Sequence, residues 1–160
     1  MQNFLFFIAL FTIAFTSCKK ETITPIKTKT STEKLLHDGA AWKLKAATVD
    51  PALPLGGTLV TDYFAQLDDC DKDDAYLYSA NPITATSGSV ILKNPVRCDN
   101  TEKSEYAGTW SFNADATELT TNFGINPSLA TIVELSETTL KTKRKVTINK
   151  INYIVAFTYE

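Results

Sequence analysis

The clearest pattern in the chain lies at its end. Ile151, Tyr153, Val155, Phe157 and Tyr159 alternate with Asn152, Ile154, Ala156, Thr158 and Glu160, the period of two that gives a strand one face for the core. The same period predicts strands upstream. Trp42, Leu44 and Ala46 fall on one face of a first strand, and a second begins at Gly57 to Val60, interrupted by a helical turn over 62–67. Further strands are expected over 74–78, 88–92, 108–112, 117–121, 129–135 and 139–148. Asn113-Ala114-Asp115 and Ser136-Glu137-Thr138 supply turns between the later ones. A short helix opens the folded region: Ser31 or Thr32 caps it, Glu33 to Leu36 form its turn, and Gly39 ends it. About eight short strands with so little helix predict an all-β, antiparallel barrel or sandwich. Parallel units need crossover helices, for which the intervals leave no room.

The first 30 residues read differently. Phe4 to Phe15 is an almost unbroken apolar run, followed by Thr16-Ser17-Cys18 and then Lys19-Lys20-Glu21. About 20 apolar residues are needed to span a bilayer as a helix, so this run fits the core of a secretion signal. An apolar run ending in two small residues and a Cys resembles the lipobox of bacterial lipoproteins. The resemblance implies that residues 1–17 are a cleaved signal peptide and that Cys18 becomes the first mature residue. It also implies acyl chains on Cys18, with the membrane as partner and the outer membrane of the cell envelope as address. The side faced, periplasmic or external, stays open. Each buried CH₂ contributes roughly 0.8 kcal/mol to such an anchor. Residues 19–30 mix Thr with charges around one Pro and predict a flexible tether reaching up to about 40 Å at roughly 3.3 Å per residue. The folded domain is expected over 31–160.

Composition adds one exclusion. The 160 residues are 44% hydrophobic and 21% charged, the balance of a folded protein rather than a disordered one. With a net charge of −2 and a pI near 5.5, no basic field recommends nucleic acid as a partner.

Beyond Cys18, the chain carries Cys70 and Cys98. In an oxidising compartment two remaining thiols favour a disulfide. Closing a loop of about 29 residues would stabilise the fold by roughly 3.5 kcal/mol in the chain-entropy account. The rival is a metal site built with neighbouring aspartates, but zinc sites draw on tighter pairs such as Cys-x-x-Cys, and none is present.

Taken in order, several segments resemble one family: Gly39-Ala40-Ala41-Trp42-Lys43-Leu44, then Asp69 to Tyr76, Cys98, Gly108-Thr109-Trp110-Ser111-Phe112, and Ile132 to Leu140. The set is similar to the lipocalin-like bacterial lipoproteins, small domains of mostly unassigned function, over nearly all of residues 33–160. The resemblance implies an up-and-down barrel of about eight strands with Trp42 near the closed end and the two Cys bridged. It also implies a basic residue over that Trp, for which Arg144 stands at the matching place in the chain. An eight-stranded barrel is either filled by its own side chains or holds one small ligand. Two functions follow: binding of a small apolar or amphipathic ligand, or a protein-interaction or structural envelope module with a filled barrel.

Reactive constellations are sparse. His37 is the lone His, next to Asp38 in a helix-end turn, and reads as a surface residue. Asp69, Asp71 and Asp73 have the alternate spacing that opens a calcium loop, but Asp74 takes the Gly position and Ala80 that of the closing Glu. A solvated loop beside the disulfide is the plainer reading. No phosphate loop or metalloprotease motif occurs, and no spacing selects a pair of carboxylates for catalysis. No enzyme, catalytic residue, metal or cofactor is therefore expected. Trp42, Tyr76, Tyr78, Trp110, Phe112, Tyr153 and Phe157 are the candidate ligand-lining residues, and strand aromatics of this kind also serve simply as core.

Overall fold

The computed structural model describes residues 32–37, 41–124 and 126–160. The expected signal peptide, lipidated Cys18 and tether lie outside these described residues, as do Ser31, Asp38 and Gly39. A six-residue helix α1 (Thr32–His37) precedes nine strands. These are β1 (Trp42–Leu55), β2 (Thr58–Asp62), β3 (Ala75–Ala80), β4 (Ser87–Lys93), β5 (Glu105–Phe112), β6 (Glu118–Asn122), β7 (Ser128–Leu135), β8 (Leu140–Ile148) and β9 (Ile151–Tyr159). Every pairing is antiparallel between neighbours from β3 through β9, and β1 pairs with β9 to close the ring. The result is an eight-stranded barrel of β1 and β3–β9, with β2 as a ninth strand on the far part of β1.

Tight turns set the register of two long hairpins. Gly56 and Gly57 turn β1 into β2 with φ of 56° and 86°, values that a Cβ would strain. Asn149 and Lys150 turn β8 into β9, also with positive φ, so Ile148 pairs directly with Ile151. Two-residue turns of this hand match the twist of the strands they join.

One expected face is corrected. Trp42 and Leu44 do share the inner face, but Ala46 is exposed, while Ala47 and Val49 are buried. The pairing of β1 with β9 slips between Leu44 and Ala46. One extra residue in a strand reverses every later side chain, because the period is two.

The disulfide is formed: Cys70 and Cys98 are bridged with their Cα atoms 5.3 Å apart. The acidic run expected as a loop contains one helical turn, α2 (Asp69–Lys72). The backbone N–H groups of Asp71 and Lys72 both donate to the Asp68 carbonyl, and Lys72 Nζ lies 3.3 Å from Asp69 Oδ1.

The helix closes one end of the barrel. Leu36 is fully buried, and Trp42 Nε1 donates to its carbonyl at 2.9 Å. The His37 ring lies 6.5 Å from that of Trp110. Trp110 in turn packs edge-on against Phe112 and Tyr78, at 5.2 and 6.0 Å between centroids. Gly88 makes this packing possible. A Cβ there would stand 1.9 Å from the Ser79 carbonyl oxygen, the same oxygen that accepts from Trp110 Nε1 at 3.1 Å.

Candidate functional site

The buried side chains fall into two clusters. The larger one joins Leu36, Trp42, Tyr78, Val90, Trp110, Phe112, Leu119, Leu140 and Tyr159 at the helix-covered end. The smaller one, Val49, Leu53 and Tyr153 with Tyr63 and Val155 against it, lies where β1 and β9 run on beyond the helix-covered end. The inward row of β8 links the two: Leu140, Thr142 and Arg144 face the first, while Arg144, Val146 and Ile148 face the second.

The two regions differ in how fully they are packed. Among Trp42, Tyr76, Tyr78, Leu119, Thr121, Thr142, Arg144 and Tyr159 the free space is about 10 Å³, the size of one water molecule. At the other end, Val49, Leu53, Tyr63, Val146, Ile148, Tyr153, Val155, Phe157 and Arg144 surround a recess of about 200 Å³. Its walls are aliphatic and aromatic, and one charged residue reaches them. The helix-covered end is thus filled, while β1, β8 and β9 with Tyr63 wall an open recess beyond it.

Arg144 sits at the division. Its guanidinium carbon lies 5.4 Å from the centroid of the Phe157 ring, within the range of a cation–π contact. The expected placement over Trp42 is not found; β9, which pairs Arg144 with Val155, brings Phe157 under the cation instead. The buried Nε has no hydrogen-bond partner, and Arg144 forms no ion pair among the described residues. Tyr76, Tyr78 and Tyr159 have their phenol pKa values raised by burial, with the Arg144 charge acting in the opposite direction. All three remain neutral hydroxyls in the physiological range.

The seven candidate lining residues are therefore dispersed. Tyr153 and Phe157 wall the recess. Trp42, Tyr76 and Tyr78 surround the water-sized space, and Trp110 and Phe112 belong to the packed cluster. The aliphatic walls Val49, Leu53, Val146, Ile148 and Val155 escaped the sequence reading, because isolated aliphatic residues on a strand look like core. A signal did exist in the alternation Leu140, Thr142, Arg144, Val146, Ile148, which places a charge on an otherwise inward row.

The second polar cluster lies beside the disulfide. Asp73 Oδ2 accepts from the Val96 N–H at 3.1 Å, and Glu102 Oε2 accepts from the Cys98 N–H at 2.9 Å and from Asn94 Nδ2 at 3.2 Å. The Asp74 carboxyl is pushed up to about 6, first by burial and then by the charges of Asp73, Asp71 and Glu102. The Asp73 contact ties the segment after β4 to the start of β3, and the Glu102 contacts brace the loop between β4 and β5. No group of three or more His, Cys, Asp or Glu side chains among the described residues has the arrangement of a metal site.

The model of a family described as a lipocalin-like domain matches residues 39–142. No curated protein matches the chain.

Proposed function

We propose a binding function on this premise: the chain belongs to the lipocalin-like domain family, and its strands β1, β8 and β9 keep an apolar recess open. In this reading the protein is a non-catalytic envelope lipoprotein, anchored through Cys18, whose domain holds a small apolar or amphipathic molecule. The observation that carries it is the 200 Å³ recess walled by Val49, Leu53, Tyr153 and Val155. A core side chain of that environment would ordinarily be in contact on all sides, so open apolar space at this place suits an occupant. The recess is smaller than a drug-sized pocket, roughly 300 Å³ or more, which selects a small molecule or a single short chain.

The filled half favours a second reading, a protein-interaction or structural module in which the recess has no ligand. Native mass spectrometry of the protein purified gently from its own membranes separates the two. A reproducible extra mass released by denaturation supports the carrier, and a bare protein mass with the disulfide intact supports the interaction module. The anchor is tested separately: Cys18→Ala should abolish incorporation of labelled palmitate, and continued labelling would refute it.

A further inference from the structure

The recess has a chemical polarity that its walls alone do not show. Along β8, Ile148, Val146 and Arg144 run inward from the hairpin tip. Ile148 and Ile151, paired across that tip, are exposed, so the outer end is apolar and open to solvent. The inner end is a guanidinium with a buried, unpartnered Nε. A buried donor without an acceptor is destabilising, and more so when it carries charge. The face of Phe157, 5.4 Å away, offsets part of this. No carboxylate of the described residues pairs with it.

We propose that the recess binds a single-chain amphiphile with a carboxylate head, the head seated on Arg144 and the tail lying outward along Val146 and Ile148. This deepens the carrier reading and rests on it. The guanidinium presents a planar fork of donors that matches the two oxygens of a carboxylate. A small planar head also leaves most of the recess to the tail. At about 30 Å³ per water-sized group, 200 Å³ accommodates about seven such groups. A tail of about seven carbons, as in octanoate, fills the recess, and a longer one emerges past Ile148 near the hairpin tip. The neutral hydroxyls of Tyr76, Tyr78 and Tyr159, beyond Arg144, add no competing negative charge.

The test is calorimetric titration of the mature chain, residues 18–160 with Cys18→Ser, secreted so that the disulfide forms. The probes are octanoate and octanol, which share a tail and differ in head charge. The expected result is octanoate binding about 10–100-fold more tightly than octanol, the range of a charge-assisted hydrogen bond. In Arg144→Met the preference should vanish while octanol still binds. Equal binding of both probes to the unaltered protein would overturn the carboxylate assignment and leave the carrier reading standing. Binding of neither would overturn both. If Arg144→Met does not fold, carbon-13 NMR of carboxyl-labelled octanoate on the unaltered protein decides. A bound carboxyl that titrates below the free acid supports the assignment, and one that titrates at or above it overturns it.

Discussion

Leu140 and Val146 stand on the same strand and the same face, six residues apart, yet truncating them should have very different costs. Leu140 is 2% exposed and packed among Trp42, Tyr78 and Tyr159. Leu140→Ala removes three carbons, about 2.4 kcal/mol of transfer free energy at about 0.8 each. The barrel wall around it is held by backbone pairing on both sides, so the site cannot collapse and a cavity term adds to the loss. The total should approach about 4 kcal/mol, within the range of about 2.7–5.0 measured for such substitutions in another protein. Val146 is 37% exposed and faces the recess. Val146→Ala removes two carbons that are only partly buried, and it enlarges a space that already exists, so about 1 kcal/mol is expected. Urea unfolding with the disulfide intact measures both, and the slope should be common to the two variants. The difference is expected near 3 kcal/mol. Two variants within about 1 kcal/mol of each other would show that the halves of the barrel are equally packed, and the division argued above would fail.

Three other outcomes follow from the structure. Replacing Cys70 and Cys98 together by Ser should lower stability by roughly 3.5 kcal/mol in denaturant, and both thiols should resist alkylation until reduced. The Asp74 carboxyl binds its proton more tightly in the folded state, at about 6 against 3.8. Its contribution is therefore fully present below pH 3.8 and is lost as the pH rises through about 6; Asp74→Asn should flatten that part of the stability profile, and an unchanged profile would count against the raised value. Gly88→Ala should disrupt the approach of Trp110 to the Ser79 carbonyl, since the added Cβ meets backbone at 1.9 Å. Indole fluorescence that is unchanged at full stability would contradict this.

Much of the fold was legible because strands in a half-buried wall impose a strict period. The expected strand over 151–159 is β9, with Tyr153 and Tyr159 buried, although Ile151 at its start is exposed, and the strand positions over 88–92 and 108–112 fall within β4 and β5. The failures have local causes. Ala46 was misplaced because a slip of one residue leaves no mark in composition. The turn at Asp69–Lys72 is a single helical turn, too short for a helical period to show. The strand expected from Gly57 to Val60 is present as β2 (Thr58–Asp62); its place outside the ring, paired along the far part of β1, depends on the long reach of β1, which the short run from Trp42 did not suggest.

The site was less legible than the fold. Aromatic residues drew attention, yet six of the seven lie in or beside the packed half, Phe157 touching both regions, and the recess is walled largely by Val, Leu and Ile. Which inward positions enclose space depends on how far β1, β8 and β9 extend beyond their neighbours, a property of three-dimensional stagger and not of any one strand. Arg144 was singled out only by its place in the chain, as the basic residue that the resemblance implies over Trp42, and the structure places Phe157 under it.

The most direct test of a half-filled barrel with a binding recess is methyl NMR of the mature chain titrated with octanol. Shifts are expected at Val49, Leu53, Val146, Ile148 and Val155, which wall the recess, with Leu36, Val90 and Leu140 of the packed half unmoved. Saturable shifts in the packed half, or none anywhere, would contradict the account.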